Sequence, residues 1–121
     1  MRLLLDLELN EKALSVNQMY SISGASKKGE RHKFLSKEAK EYEDKIIEKI
    51  FVTEIVDYPV KVEIEIHKKS KRQFDIDNCA KAILDAVTKS GFWEDDNLVY
   101  ELNMKKFIGD TDKIIIKIYQ I

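Results

Sequence analysis

The residues whose types and spacing suit catalysis are acids, and they sit in two short segments. Gln73-Phe74-Asp75-Ile76-Asp77-Asn78 carries the first pair, and Trp93-Glu94-Asp95-Asp96-Asn97 carries the second group. Asp75 and Asp77 are two apart, so where the chain is extended their side chains leave one face and converge on one ion. Between the segments lies a stretch with helical spacing. A helix of about 13 residues is only about 20 Å long, so a return loop and the strand after it can bring Asp95 and Asp96 back towards Asp75 and Asp77. An all-oxygen cluster suits a hard divalent cation, and Mg²⁺ takes few protein carboxylates, leaving its other positions to water or phosphate oxygens. The implied chemistry is that of a phosphodiester. Carboxylates gathered in one cleft raise one another's proton affinity unless a cation compensates them. Lys81 lies one helical turn after Asp77, within reach of the cluster and of a phosphate, and Asp85 is one turn further. The row Asp77, Lys81, Asp85 also reads as an exposed ladder worth a few tenths of a kcal/mol, about the usual value for such pairs. The flanking acids count against that reading.

Several elements must position these residues. Leu3, Leu5, Leu7 and Leu9 alternate with Asp6 and Glu8 in a period-2 pattern, predicting a half-buried strand over residues 2–9. Residues 15–29 lose all periodicity and are rich in Ser, Gly and Lys, the composition of a basic loop. Ser36 is a helix N-cap with an acid in the following turn, and Ala39, Tyr42, Ile46, Ile47 and Ile50 recur at helical spacing. Pro59 ends that region. Val60 to His67 alternates apolar and charged residues without a break, the clearest strand in the chain. A second helix opens near Asp77 and runs through Ala80, Ile83, Leu84 and Val87, with Gly91 where a left-handed cap belongs. Leu98 to Phe107 and Lys113 to Ile121 read as strands joined as a hairpin by residues 108–112. The expected architecture is α+β, a single two-layer domain over residues 1–121, in β-α-β-α-β-β order with two helices packed on one mixed sheet.

Composition narrows the functional classes. The chain has 121 residues, 44% hydrophobic and 36% charged, with one Pro and four Gly, which excludes disordered, collagenous and low-complexity proteins. No apolar run reaches the roughly 20 residues of a membrane helix, and Asp6 interrupts the start too early for a signal peptide. The expectation is an intracellular, cytoplasmic protein, equally at home in a bacterium or a bacteriophage. A single cysteine, Cys79, excludes an internal disulfide, and with only His32 and His67 no zinc cluster can be built. Cys79 reads as a small buried residue and both histidines as surface residues. Phe92 and Trp93 should pack under the end of the second helix and fix where Asp95 and Asp96 point. The net charge of −1 says nothing of a nucleic-acid partner, but its distribution does. Lys27, Lys28, Arg31, Lys33 and Lys37 face the single acid Glu30 in one run, and Lys68, Lys69, Lys71 and Arg72 form another with no acid among them. One lysine run is usually just a solvated face. Two runs abutting the acidic segments weaken that reading.

Taken together, Asp75-Ile76-Asp77-Asn78, Lys81, Leu84-Asp85-Ala86-Val87, Gly91 and Glu94-Asp95-Asp96 resemble the pattern of the RusA-type Holliday-junction resolvases. Ser15-Val16-Asn17, Tyr20 and the Lys-rich segment ending in Phe34-Leu35-Ser36 resemble that family's N-terminal part. The resemblance implies that Asp75, Asp77 and Asp96 are metal-binding catalytic carboxylates and Lys81 the catalytic lysine. Asp95 is the neighbouring acid, a further candidate ligand. It also implies a homodimer that uses Mg²⁺, or Mn²⁺ in its place, to introduce paired nicks across a four-way DNA junction. Lys27, Lys28, Arg31, Lys33, Lys68, Lys69, Lys71 and Arg72 are then phosphate contacts. Phe74 either stacks on bases opened at the crossover or belongs to the core. One metal ion or two is left open. So are a catalytically idle DNA-binding or replication accessory protein and a metal nuclease preferring flaps, forks or RNA.

Overall fold

A computed structural model describes residues 1–15, 20–22, 33–69 and 75–121, with only the backbone for 20–22 and 33–35. The elements are β1 (Arg2–Leu9), β2 (Tyr20–Ile22), β3 (Lys33–Leu35), α1 (Lys37–Glu48), β4 (Val60–Lys68), α2 (Asp77–Lys89), a 3₁₀ turn (Asp96–Leu98), β5 (Val99–Ile108) and β6 (Lys113–Gln120). The expected β-α-β-α-β-β order stands. To it are added β2 and β3, which pair antiparallel as a separate ribbon, so part of the stretch read as loop is strand. Among the described residues no helix is long and apolar enough to cross a membrane.

Four strands form a mixed sheet in the order β1-β6-β4-β5. β4 is antiparallel to β6 and parallel to β5. The hairpin expected between the last two strands is therefore absent, because β4 lies between them. Burial explains which strands are central. Val60, Val62, Ile64 and Ile66 of β4 and Ile114, Ile116 and Ile118 of β6 are all essentially inaccessible, which demands neighbours on both sides. β5 is mostly exposed and takes the edge. Its connection to β6 crosses the end of β4, where the Gly109 N–H donates to the Lys68 carbonyl at 2.9 Å and the Lys69 N–H to Asp112 Oδ1 at 3.1 Å. In β1 a bulge between Leu3 and Leu5 breaks the alternation. Leu5, Leu7 and Leu9 stay buried, whereas Leu3 turns outward, contrary to the simple period-2 reading.

Both helices cover one face of this sheet. Ser36 caps α1, its hydroxyl accepting from the Ala39 N–H at 3.0 Å, as its sequence position requires. Ala39, Tyr42 and Ile46 of α1 and Cys79, Ala82, Ile83, Ala86 and Val87 of α2 join the strand residues in one core. The small residues on α2 let it approach the sheet and α1 closely. One charged pair ties the helices together: Lys89 Nζ donates to both carboxylate oxygens of the buried Glu43, at 2.9 and 2.8 Å. Deleting the lysine strands a carboxylate whose side chain is only 4% exposed. Because the lysine itself is half exposed, Lys89→Met is expected to cost about 2 kcal/mol rather than the full penalty of a buried pair. The double variant Glu43→Leu, Lys89→Met should return to within about 1 kcal/mol of the parent in urea unfolding, since no charge is then left buried.

Candidate active site

The site is built on the exposed side of α2 and on the return loop after it. The start of α2 has no side-chain cap, and Ile76 already has helical dihedrals, φ −64° and ψ −34°. The alternation of an extended chain therefore does not hold between Asp75 and Asp77, contrary to the sequence expectation. Both residues instead crowd the first turn, where the positive end of the helix dipole favours carboxylates. The Asp75 carbonyl accepts from the Asn78 N–H at 3.2 Å, and Asp77 Oδ1 accepts from the same N–H at 3.0 Å. Both aspartates are exposed.

The far side of the site depends on how α2 ends. Gly91 adopts φ +85°, the left-handed conformation that turns the chain back at no steric cost. Ser90 Oγ donates to the Val87 carbonyl at 2.6 Å and accepts from the Phe92 N–H at 3.3 Å. Trp93 Nε1 donates to Thr88 Oγ1 at 2.7 Å, and that hydroxyl donates back to the Leu84 carbonyl at 3.0 Å. Phe92 and Trp93 are buried edge to face, so the packing expected of them is observed. A bridge from Val56 to Trp93 adds a further tie. Asp95 Oδ1 then accepts from the Asn97 N–H at 3.0 Å and opens the 3₁₀ turn that carries Asp96.

Lys81 joins the two halves. Its Nζ lies 3.0 Å from Asp85 Oδ1 and 3.1 Å from Asp96 Oδ2, with the lysine 59% exposed and the carboxylates about a quarter exposed. The hydrogen bonds that Lys81 donates to Asp85 and then to Asp96 hold the ammonium above the usual lysine range. A lysine with a raised pKa carries its positive charge throughout the neutral range. The structure thus brings Lys81, Asp85 and Asp96 together. Among the described residues no three histidine, cysteine or acidic side chains stand close enough to hold a metal ion, so Asp75, Asp77 and Asp96 are not gathered as one cluster. In kind, however, the donors fit a hard cation: carboxylates stand at the helix start and on the return loop, where Asp96 meets the lysine. Asp85, which in sequence was a rung of an i,i+4 row and part of the family pattern but not a proposed site residue, enters the site as a lysine partner. The signal that marks it is its place one turn after Lys81 combined with the acids that follow the helix.

The remaining sequence candidates are distributed unevenly. Lys27, Lys28, Arg31, Lys71, Arg72 and Phe74 lie outside the described residues, and Lys33 is described only as backbone in β3. Lys69 is exposed. Lys68 is buried at 8% exposure, so its side chain is largely withdrawn from solvent. Its charge acts on the Cys79 thiol, which burial, the larger effect, pushes up. Cys79 is accordingly the small buried residue expected, with no character of a nucleophile. His67 departs from its surface reading: it is half-buried on the open face of the sheet, stacked on Phe107 with ring centroids 4.6 Å apart.

Fold and site together define a small α+β protein that presents carboxylates and a lysine on one helix and its return loop. The family described as endodeoxyribonuclease RusA matches residues 20–119, and the chain belongs to that family. The matched span includes Asp75, Asp77, Lys81, Asp85, Asp95 and Asp96. Among curated relatives, proteins named crossover junction endodeoxyribonuclease RusA from Escherichia coli strain K12, Shigella sonnei strain Ss046 and Enterobacteria phage 82 are each 48% identical over 48 residues. Each match covers 40% of this chain and spans 40% of the length of the relative.

Proposed function

We propose that this protein is a divalent-metal-dependent endodeoxyribonuclease that resolves four-way DNA junctions by paired symmetric nicks, with Mg²⁺, or Mn²⁺ in its place, as cofactor. The observation that carries the reading is Lys81, held between Asp85 and Asp96 on an exposed helix face in a chain of the RusA family. Asp75, Asp77 and Asp96 would hold the ion, with Asp95 beside them, and the ion would polarise the scissile phosphate and lower the pKa of bound water. Asp95 fixes the turn on which Asp96 rides. Lys81 supplies a permanent positive charge at the surface where a phosphate would approach, offsetting the negative charge that builds up during displacement. Lys69 and the basic residues of 26–37 and 71–72 would add phosphate contacts and salt-sensitive affinity. A two-fold dimer presents two such sites to a substrate with two strands to cut.

The test is cleavage of a labelled four-way junction, a matched fork and a linear duplex, each with Mg²⁺ and with excess EDTA. Symmetric nicks on the junction alone, lost with EDTA and restored by added Mg²⁺, are expected. Preferential cutting of the fork would replace the junction assignment. Junction binding without cutting in Mg²⁺ or Mn²⁺ would make the protein an accessory DNA-binding factor.

A further inference from the structure

β5 is the edge of the main sheet, ten residues long, and among the described residues it is hydrogen-bonded on one side only. Its apolar residues are left uncovered: Tyr100 is 70% exposed, Leu102 45% and Ile108 50%. A long apolar edge is a template for another strand unless it is blunted. The sequence of β5, Val99-Tyr100-Glu101-Leu102-Asn103-Met104-Lys105-Lys106-Phe107-Ile108, is complementary to itself in one antiparallel register. We propose that β5 pairs with β5 of a second copy of this chain about a two-fold axis through Asn103, joining the two sheets into one.

The register follows from which side chains would meet. In an antiparallel pair, directly opposed residues share a face. With the axis at Asn103, Glu101 opposes Lys105 of the partner and Lys105 opposes the partner's Glu101. Within one subunit, Lys61 already stands beside Glu101 and Glu65 beside Lys105. The joined rows on the open face then run Lys61, Glu101, partner lysine, partner glutamate, with the sign alternating at every step, and the second row repeats this by symmetry. Between them Asn103 opposes its own copy, flanked by Glu63 and then Lys117 on each side. On the helix-bearing face, Leu102 opposes Met104 of the partner. Because Leu102 lies beside Val62 and Met104 beside Ile64, one apolar row crosses the interface without a break. Moving the axis to Met104 sets Leu102 against Lys106 and Glu101 against Phe107, which loses both the charge pairs and the apolar row. The axis stands perpendicular to the joined sheet, so both pairs of helices, and both candidate sites, lie on the same side. This inference takes the dimer proposed above and names its surface. It is tested without DNA, so its failure is separate from any failure of the nuclease reading.

The register is read by thiol cross-linking. Cys79 is buried, so an introduced thiol is the reactive one. Asn103→Cys should form a symmetric intersubunit disulfide under mild oxidation, because opposed Cα atoms in such a pair lie about 4.5–5.5 Å apart. Lys105→Cys should not, because its copy lies about four residues away along the strands, roughly 13 Å, and Met104→Cys is likewise out of register. Asn103 and Lys105 are exposed and Met104 is only partly buried, so these variants keep the fold. In sedimentation equilibrium at low salt, Lys105→Glu should weaken the dimer about tenfold, from two pairs turned repulsive, and Glu101→Lys with Lys105→Glu should restore it to within about threefold. A monomer at all concentrations overturns the proposal, as does a dimer that cross-links at position 104 or 105 and not at 103.

Discussion

Asp77→Asn is expected to abolish junction cutting, with a loss of at least about 10³-fold, while junction binding is kept or improved. The size follows from removing one carboxylate ligand of a cation that supplies several kcal/mol to the transition state. Binding survives because one negative charge is removed from a surface that must meet phosphates. Asp77 is exposed and opens α2, and its side chain accepts a hydrogen bond from the Asn78 N–H, an interaction that an asparagine oxygen reproduces. The helix loses only the favourable interaction of a carboxylate with its dipole, about 0.3–1 kcal/mol, so the thermal midpoint should fall by no more than a few degrees. Cleavage and electrophoretic binding measured on the same preparation separate the roles. Cutting at the parent rate removes Asp77 from the site. Loss of binding together with cutting makes it a DNA-contact or structural residue instead.

The second large effect concerns the loop that carries Asp95 and Asp96. Trp93→Ala is expected to cost about 3–5 kcal/mol in urea unfolding, the range for truncating a fully buried large aromatic. Trp93 is 2% exposed, packs edge to face on Phe92, and its Nε1 is held by Thr88. The truncation removes that packing and leaves a cavity beneath the end of α2. Because Trp93 is the chain's single tryptophan, the transition of this variant is followed by far-ultraviolet circular dichroism and that of the parent by fluorescence as well. Out of a total that for domains is about 5–15 kcal/mol, such a loss leaves a marginal fold. Trp93→Phe keeps most of the buried area and should cost less than half as much. A cost below about 1 kcal/mol for the alanine variant would mean that the return loop is held without the indole, by Gly91, Ser90, Phe92 and the backbone bridge to Val56. The position of Asp96 against Lys81 would then not depend on the tryptophan.

Much of this architecture is written in local pattern. The helix from Ser36, the alternating strand from Val60, the second helix from Asp77 and the turn at Gly91 each follow from periodicity, a cap or a left-handed glycine. Periodicity reports which face of an element is buried, and caps report where backbone donors need partners; both act over a few residues. The row Asp77, Lys81 and Asp85 was legible for the same reason, since its spacing on one helix is fixed by about 3.6 residues per turn, whereas the alternation read between Asp75 and Asp77 was overturned by the helical Ile76. The bulge at Leu3 was not legible, because a bulge breaks the alternation by which it would be recognised. The last two strands were misread as a hairpin because a short connection carries no record of what passes between its ends. Burial puts β4 and β6 in the middle of the sheet and β5 at its edge, but it is strand pairing across the fold that sets β4 between β5 and β6. In the site, sequence alone set the residue types on offer, carboxylates and one lysine around a helix. Only the tertiary structure decided that Lys81 is shared by Asp85 and Asp96, and that Lys68 is largely withdrawn from solvent. Both depend on how the chain returns after Gly91 and on where α2 lies across the sheet, which is settled by packing between residues distant in sequence.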